Sequence, residues 1–571
     1  MKTEQPNSLI APIRPWSSRD WVFFILVAMA GAILLLSGLS VRSLWGSEGR
    51  WAVIVREMLS TGNYFLPTIN GEVYFDKPLL SYWIIALFAS PGGVTEAVSR
   101  LPSAFAGVAA VLVTFSIGRR LFDTRTAVLS GGLLLTSIMY ILWSKTASAE
   151  LLNVLSIWLM LWAFVTGGVD GKLTKLILLY CFGAVSAFLK GPVAPAVGFS
   201  VIGFYSLVML LTPFATRKPS FQNVPRAFLI HFKWIISWQG LISILASLLL
   251  FAALLLAPVI ITGSWQSVEL MWRENFLRFF RPFDHVEPPY VYLKYTLLFF
   301  LPWTLLLIGA LWHAKEWLAN RANWWTPLAG LAIFLFFTAS GSRRSYYILP
   351  LVPALALITG KALTDWLARP VQDSSRTMNA AALATAALPS LAGMALLCSY
   401  FIKEMPHHLA QILVGILAII GSLSAIFLLK KRRRLHGLIL LFLLVFGVEL
   451  WSFTGGMAAM EEMRTFRVFC REAAAELKGI PDSRLALFPG GDSSLIFYLN
   501  RGRLRTLGGV EDVAKFRKEF PDGFIISESK MVQSLLRENP AFQDLVTVLA
   551  QVKEPRSKKE KRLLLMRFAA K

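Results

Sequence analysis

Charge is scarce in this sequence. Only 16% of its 571 residues are charged, where a soluble domain carries roughly a quarter, and its mean hydropathy is +0.58. That excludes a large soluble enzyme. Cysteine is scarcer still: Cys181, Cys398 and Cys470 have no CxxC or metal-ligand spacing, which excludes a zinc module or a disulfide framework. Glycine-rich phosphate loops are missing, so a soluble sugar nucleotide is a poor candidate ligand. No soluble module interleaves basic and aromatic residues, so nucleic acid is not an expected partner in spite of a net charge of +23.

What the sequence has in quantity is long apolar runs. Stretches of about 20 residues, each able to cross a hydrocarbon layer of roughly 30 Å, recur along the chain. They predict an all-α polytopic membrane protein with about thirteen transmembrane helices, the first near 21–41 and the last near 436–454. Ala28-Met29-Ala30 resembles a cleavage site, but it falls inside the first run, which therefore reads as an uncleaved span.

With the N-terminus in the cytoplasm, every even connection is basic, ending with the run Lys430 to Arg434. This matches the positive-inside rule and accounts for most of the net charge. It puts the odd connections, and everything beyond about residue 455, on the outer face. The expected division is 1–455 for the membrane domain and 456–571 for a small α/β periplasmic domain. In the latter, RLALFPG, LIFYL, GFIIS, LVTVLAQV and RLLLMRF read as strands, with helical stretches near 510–519 and 529–537. The expected location is the bacterial inner membrane.

Unusual polar residues gather in the outer connections. The first, 42–97, holds two helical stretches. In one, Trp51, Ile54, Val55 and Met58 form an apolar face at helical spacing, predicting a helix lying on the membrane surface. Ser47 can cap it, and Glu48 in its first turn suits the helix dipole. Glu48 and Arg50 are also candidates for chemistry. In YFDKPLLSYW, Lys77 beside Tyr74 either snorkels to the interface or binds substrate. Glu150 opens the fourth span and Lys190 closes the fifth; each is a helix-end charge or a functional one. The 274–293 loop carries His285 among scattered charges, too few ligands for a structural metal site. In SGSRRSYYILP, Arg343 and Arg344 beside Tyr346 and Tyr347 suit a phosphate or a lipid headgroup. Carboxylates that can deprotonate a hydroxyl, beside cations that can stabilise a departing phosphate, point to group transfer from a lipid-linked phosphate. A transporter or flippase of a lipid-linked sugar is the alternative. It calls for inverted repeats and charges at span centres, whereas these charges sit at span ends and no repeat is evident.

SEGRWAVIVREML, YFDKPLLSYW, SRLPSAFAGVAAVLVTFSIGRRLF, AFLKGP, ENFLRFF, FLPWTLLL and RRSYYILPLVPALAL, in that order over residues 20–365, resemble the bacterial aminoarabinose (lipid A) transferase and protein O-mannosyltransferase-like glycosyltransferases. The resemblance implies the C-type glycosyltransferase fold, juxtamembrane helices in the first outer loop and a soluble outer domain. It also implies an undecaprenyl-phosphate sugar donor, an acceptor such as lipid A or another glycan or lipid, and inversion at the anomeric carbon. The family's first-loop motif is usually Asp-Glu-x-Arg, with the leading Asp as the catalytic acid group. Glu48 and Arg50 match the remainder and Ser47 stands in place of the Asp, which implies Glu48 as the catalytic carboxylate, or Glu150 sharing that role. Glu150 matches the second acid. Asp76, Lys77 and Pro78 match a Glu-Lys-Pro motif whose acid can pair with a later His around a divalent metal ion, implying Asp76 and His285 as its ligands. Arg343 and Tyr347 fall where the family places a Lys and a Tyr near the donor phosphate.

Overall fold

The computed structural model describes residues 14–75, 77–216, 224–273, 287–370, 375–402, 407–538, 546–551 and 562–568. Among these, ten helices are long and apolar enough to cross a membrane, and two bent helix pairs raise the number to twelve. The thirteenth expected span is the shorter helix Trp325–Ala339, of 15 residues.

Both bent pairs have an evident cause. Val291–Phe299 and Thr304–Trp312 meet at 111° across FLPW, where Pro302 removes an amide donor and disfavours helix at the residue before it. The helices α5 (Thr124–Leu135) and α6 (Ile138–Ser144) meet at 68°. The two breaks satisfy each other's backbone: the Ile138 amide donates to the Leu301 carbonyl at 3.0 Å, and the Trp303 indole donates to the Thr136 carbonyl at 3.1 Å. Broken helices persist at membrane depth only where such groups are paired within protein.

The bundle has a packed centre and a lipid-like rim. Glu150–Gly168 is 78% buried and Ser345–Ala368 89%, whereas Trp238–Thr262 is 17% buried and turns Leu249 and Ile260 outward. Small residues bring central helices together: a Cβ at Gly107 would lie 2.5 Å from the Ser144 hydroxyl, and one at Gly393 2.6 Å from the Gly415 carbonyl.

Between α1 (Ser18–Leu36) and α4 (Glu96–Leu121) the chain forms α2 (Glu48–Thr61), the hairpin of β1 (Thr68–Ile69) and β2 (Glu72–Val73), and α3 (Leu79–Ala89). The surface-lying helix predicted for 48–61 is instead sandwiched. Trp51, Ile54, Val55 and Met58 pack against Tyr82, Ile85 and Ala86 of α3, while Val53 on the other side joins the core of the C-terminal segment. Ser47 makes no side-chain capping bond.

The C-terminal segment folds around a five-stranded sheet of order β4-β3-β5-β7-β6. Its strands are β3 (Leu485–Phe488), β4 (Arg505–Thr506), β5 (Phe524–Glu528), β6 (Val546–Gln551) and β7 (Leu563–Phe568). β4, β3 and β5 are parallel; β7 runs antiparallel to both β5 and β6. LIFYL, expected as a strand, lies in the helix Ser493–Leu499. A short apolar run fits either state. The local signals decide it: the Asp492 carboxylate accepts the Ser494 amide at 2.8 Å, and Asn500 closes the helix with φ 49°.

This segment is bolted to the first loop. Arg56 of α2 donates to the carbonyls of Ile496, Phe497 and Arg501 at 3.2–3.3 Å, the exposed end of the Ser493–Leu499 helix. Asn70, in the hairpin turn with φ 59°, exchanges two hydrogen bonds with the Leu504 backbone at 2.5 and 2.6 Å. Gly49 faces Ser494 so closely that a Cβ would meet its backbone nitrogen at 2.5 Å.

A candidate group-transfer site at one end of the bundle

The first outer loop and the start of α4 are knotted around Glu48, which is fully buried. Its two oxygens accept the forked guanidinium of Arg100 at 2.8 and 2.7 Å. They also accept the Ala147 amide at 2.8 Å, the Trp45 amide at 3.1 Å and Arg42 at 3.2 Å. Arg100 is itself 1% exposed and spends its remaining donors on the carbonyls of Leu39, Arg42 and Ser43 at 2.6–3.1 Å. A buried ion pair stands only when both partners are hydrogen-bonded to this extent. Beside it, Lys145 donates to the Ser37 carbonyl; burial, then the nearby Arg100 charge, pull its ammonium down to about 8. Arg50, two residues along α2, points elsewhere and donates to the Tyr74 hydroxyl at 2.6 Å.

The second carboxylate sits three residues beyond Ala147. Glu150 begins α7 (Glu150–Ala163) and is 8% exposed. It pairs with Lys190, the last residue of α8 (Leu173–Lys190). Gly191, at φ 97°, then turns the chain away. The Lys190 ammonium lies 4.6 Å from the Tyr347 ring centre and 5.5 Å from that of Tyr346, within cation–π range. Both tyrosines come from the 3₁₀ run Ser345–Leu351. Tyr346 packs on Trp143 with ring centres 4.4 Å apart and accepts a hydrogen bond from Arg344 at 2.8 Å. Lys77 and Arg344 add positive charge around Lys190, and Ser81 of α3 ties the Lys77 segment to this corner by donating to the Leu189 carbonyl at 2.6 Å.

The structure therefore gathers Glu150, Lys190, Lys77, Arg344 and Tyr347 at one end of the bundle. Glu48 is set in its own buried knot, and Arg50 with Tyr74 forms a pair on the loop. Arg343 turns away from that corner, donating to the Glu287 carbonyl at 2.5 Å and to Thr338 at 3.0 Å. Asp76 and His285, the expected metal pair, lie outside the described residues. Among the described residues no three His, Cys, Asp or Glu side chains gather as a metal site would require. Arg100 was not singled out from the sequence. Arg100 had a legible signal: an arginine inside the apolar run SRLPSAFAG, where an unpaired charge is costly.

The fold is that of the C-type glycosyltransferases, with an acid, a lysine and tyrosines collected where spans meet the first loop. The model of the dolichyl-phosphate-mannose-protein mannosyltransferase family matches residues 76–238. The chain is 25% identical to an undecaprenyl phosphate-alpha-4-amino-4-deoxy-L-arabinose arabinosyl transferase of Shewanella sediminis, over 67% of this chain and 66% of that one. The corresponding protein of Sodalis glossinidius is 28% identical over 72% and 70%. The matched region thus spans about two thirds of these relatives' length. The crystal structure of ArnT from Cupriavidus metallidurans bound to undecaprenyl phosphate superposes with a TM-score of 0.71, at 18% identity, over 96% of this chain and 98% of that one. These likenesses agree with the resemblance that the sequence motifs carry.

Proposed function

We propose that this protein is a membrane glycosyltransferase that moves a sugar from an undecaprenyl-phosphate donor to a lipid or glycan acceptor such as lipid A. The observation that carries the reading is the Glu150–Lys190 pair, ringed by Tyr346 and Tyr347 and flanked by Lys77 and Arg344. The names of the sequence relatives and the lipid phosphate in the ArnT structure support the donor class.

In this reading the donor phosphate is held by Lys190, Lys77 and Arg344, with Tyr347 alongside. Arg343 steadies the segment that carries Arg344 through its bonds to the Glu287 and Thr338 carbonyls, and Arg50 with Tyr74 flanks the site from the first loop. Drawing Lys190 toward the phosphate loosens its hold on Glu150. The freed carboxylate takes the proton of the acceptor hydroxyl as that oxygen attacks the anomeric carbon. The bond from the anomeric carbon to the phosphate oxygen breaks, its electron pair stays on the lipid phosphate, and the cations stabilise that charge. Attack opposite to the leaving group inverts the anomeric centre. Glu48, whose oxygens already accept five donors, acts by fixing the loop that presents Arg50. Asp76 and His285 would hold a divalent ion, whose charge would offset that of the donor phosphate.

The reaction face is the periplasmic side of the bacterial inner membrane, with the N-terminus cytoplasmic and the C-terminal domain, residues 456–571, periplasmic. Reporter fusions at each terminus test the orientation. Reconstituted protein supplied with undecaprenyl-phosphate sugars tests the activity: transfer that falls at least 100-fold in Glu150→Gln supports it, and wild-type transfer in that variant overturns it.

A further inference from the structure

The C-terminal sheet has a reversal of strand order. The chain leaves β3 through the helix Ser493–Leu499 to β4 on one side, then returns across β3 through the helix Val510–Glu519 to β5 on the other. In an open parallel sheet, the crevice at the carboxyl ends of the two strands flanking such a reversal is where ligands bind. A cavity of about 160 Å³ lies there. Leu487 and Phe488 of β3 and Ile526 of β5 line it, together with Phe466 from the helix that follows the last span. Its polar groups are Asp492, Ser527 and Glu528; no lysine or arginine lines it. Gly490 and Met531 at its edge are exposed.

We propose that this cavity is a saccharide-binding subsite for a single unphosphorylated sugar ring, neutral or amine-bearing. Phe466, with Leu487 and Ile526 of the same apolar cluster, offers an apolar wall for the C–H face of a pyranose. Asp492 and Glu528 offer acceptors for its hydroxyl or ammonium donors. The same two carboxylates repel phosphates and uronic acids. The composition is thus the reverse of the Lys190 corner, which collects cations. The assignment goes beyond the transfer reaction and does not depend on it.

The test uses full-length protein in detergent, with saturation-transfer NMR and calorimetry against methyl glucoside, methyl glucosaminide and glucose 6-phosphate. The two glycosides are expected to bind saturably, and the phosphate about tenfold more weakly or not at all. In Asp492→Asn/Glu528→Gln, where Asn still caps the helix, the glucosaminide should weaken about tenfold and the discrimination against phosphate should fade. Met531→Trp should block the cavity without touching the carboxylates. Glu150→Gln should leave glycoside binding intact. Absence of glycoside binding, binding indifferent to both cavity variants, or binding lost in Glu150→Gln would each overturn the proposal.

Discussion

Glu48 and Glu150 are the same residue type at the same kind of position, the first residue of a helix, and both are buried. Their surroundings differ. Glu48 accepts five donors, including a bidentate arginine. Glu150 pairs with the flexible ammonium of Lys190, which is also held against two aromatic faces. A carboxylate with its lone pairs occupied is a fastener. One held by a movable cation can exchange that partner for a substrate and take a proton. Position in the sequence does not separate the two roles; saturation by donors does.

The largest expected effect falls on the fastener. Glu48→Gln leaves the buried Arg100 charge without its counterion and should cost about 3–5 kcal/mol of stability. Thermal unfolding in detergent would show it, and a variant as stable as wild type would break the distinction. Arg100→Lys keeps the charge but loses the planar fork, and should cost about 2 kcal/mol by the same assay. Loosening the C-terminal domain comes next. Arg56→Ala removes charged hydrogen bonds to the end of the Ser493–Leu499 helix, worth about 1.5–3 kcal/mol in total given their partial exposure. Limited proteolysis near residue 500 should accelerate accordingly. The smallest effect is chemical. Burial, and the nearby Asp492, push the Cys470 thiol up to about 12. Its thiolate is therefore sparse at every pH below that, and maleimide should label Cys470 only after unfolding. Fast labelling at pH 8 in folded protein would contradict the packed core drawn around it.

The membrane character, the first-loop helices and the end-of-span location of the charges were legible in the sequence, because hydrophobic length and lysine–arginine bias act locally. The breaks at Thr136–Ser137 and Pro302 were not. Each is tolerated because it meets the other across the bundle, a pairing remote in sequence. LIFYL was misread as a strand because its helix rests on two flanking caps, Asp492 and Asn500, rather than on periodicity. At the candidate site the acids and cations could be named, but their division could not. Which carboxylate is saturated depends on Arg100, 52 residues from Glu48, and on the Ala147 amide, 99 residues away. Ser47, at the place where the resemblance implies an Asp, is what makes that division consequential.

The central claim is that Glu150, freed from Lys190 by the donor phosphate, is the base. Single-turnover transfer by Glu150→Gln in proteoliposomes, scaled to folded protein, tests it most directly. The account predicts a rate at least about 100-fold below wild type, with donor affinity retained. Wild-type turnover would contradict it.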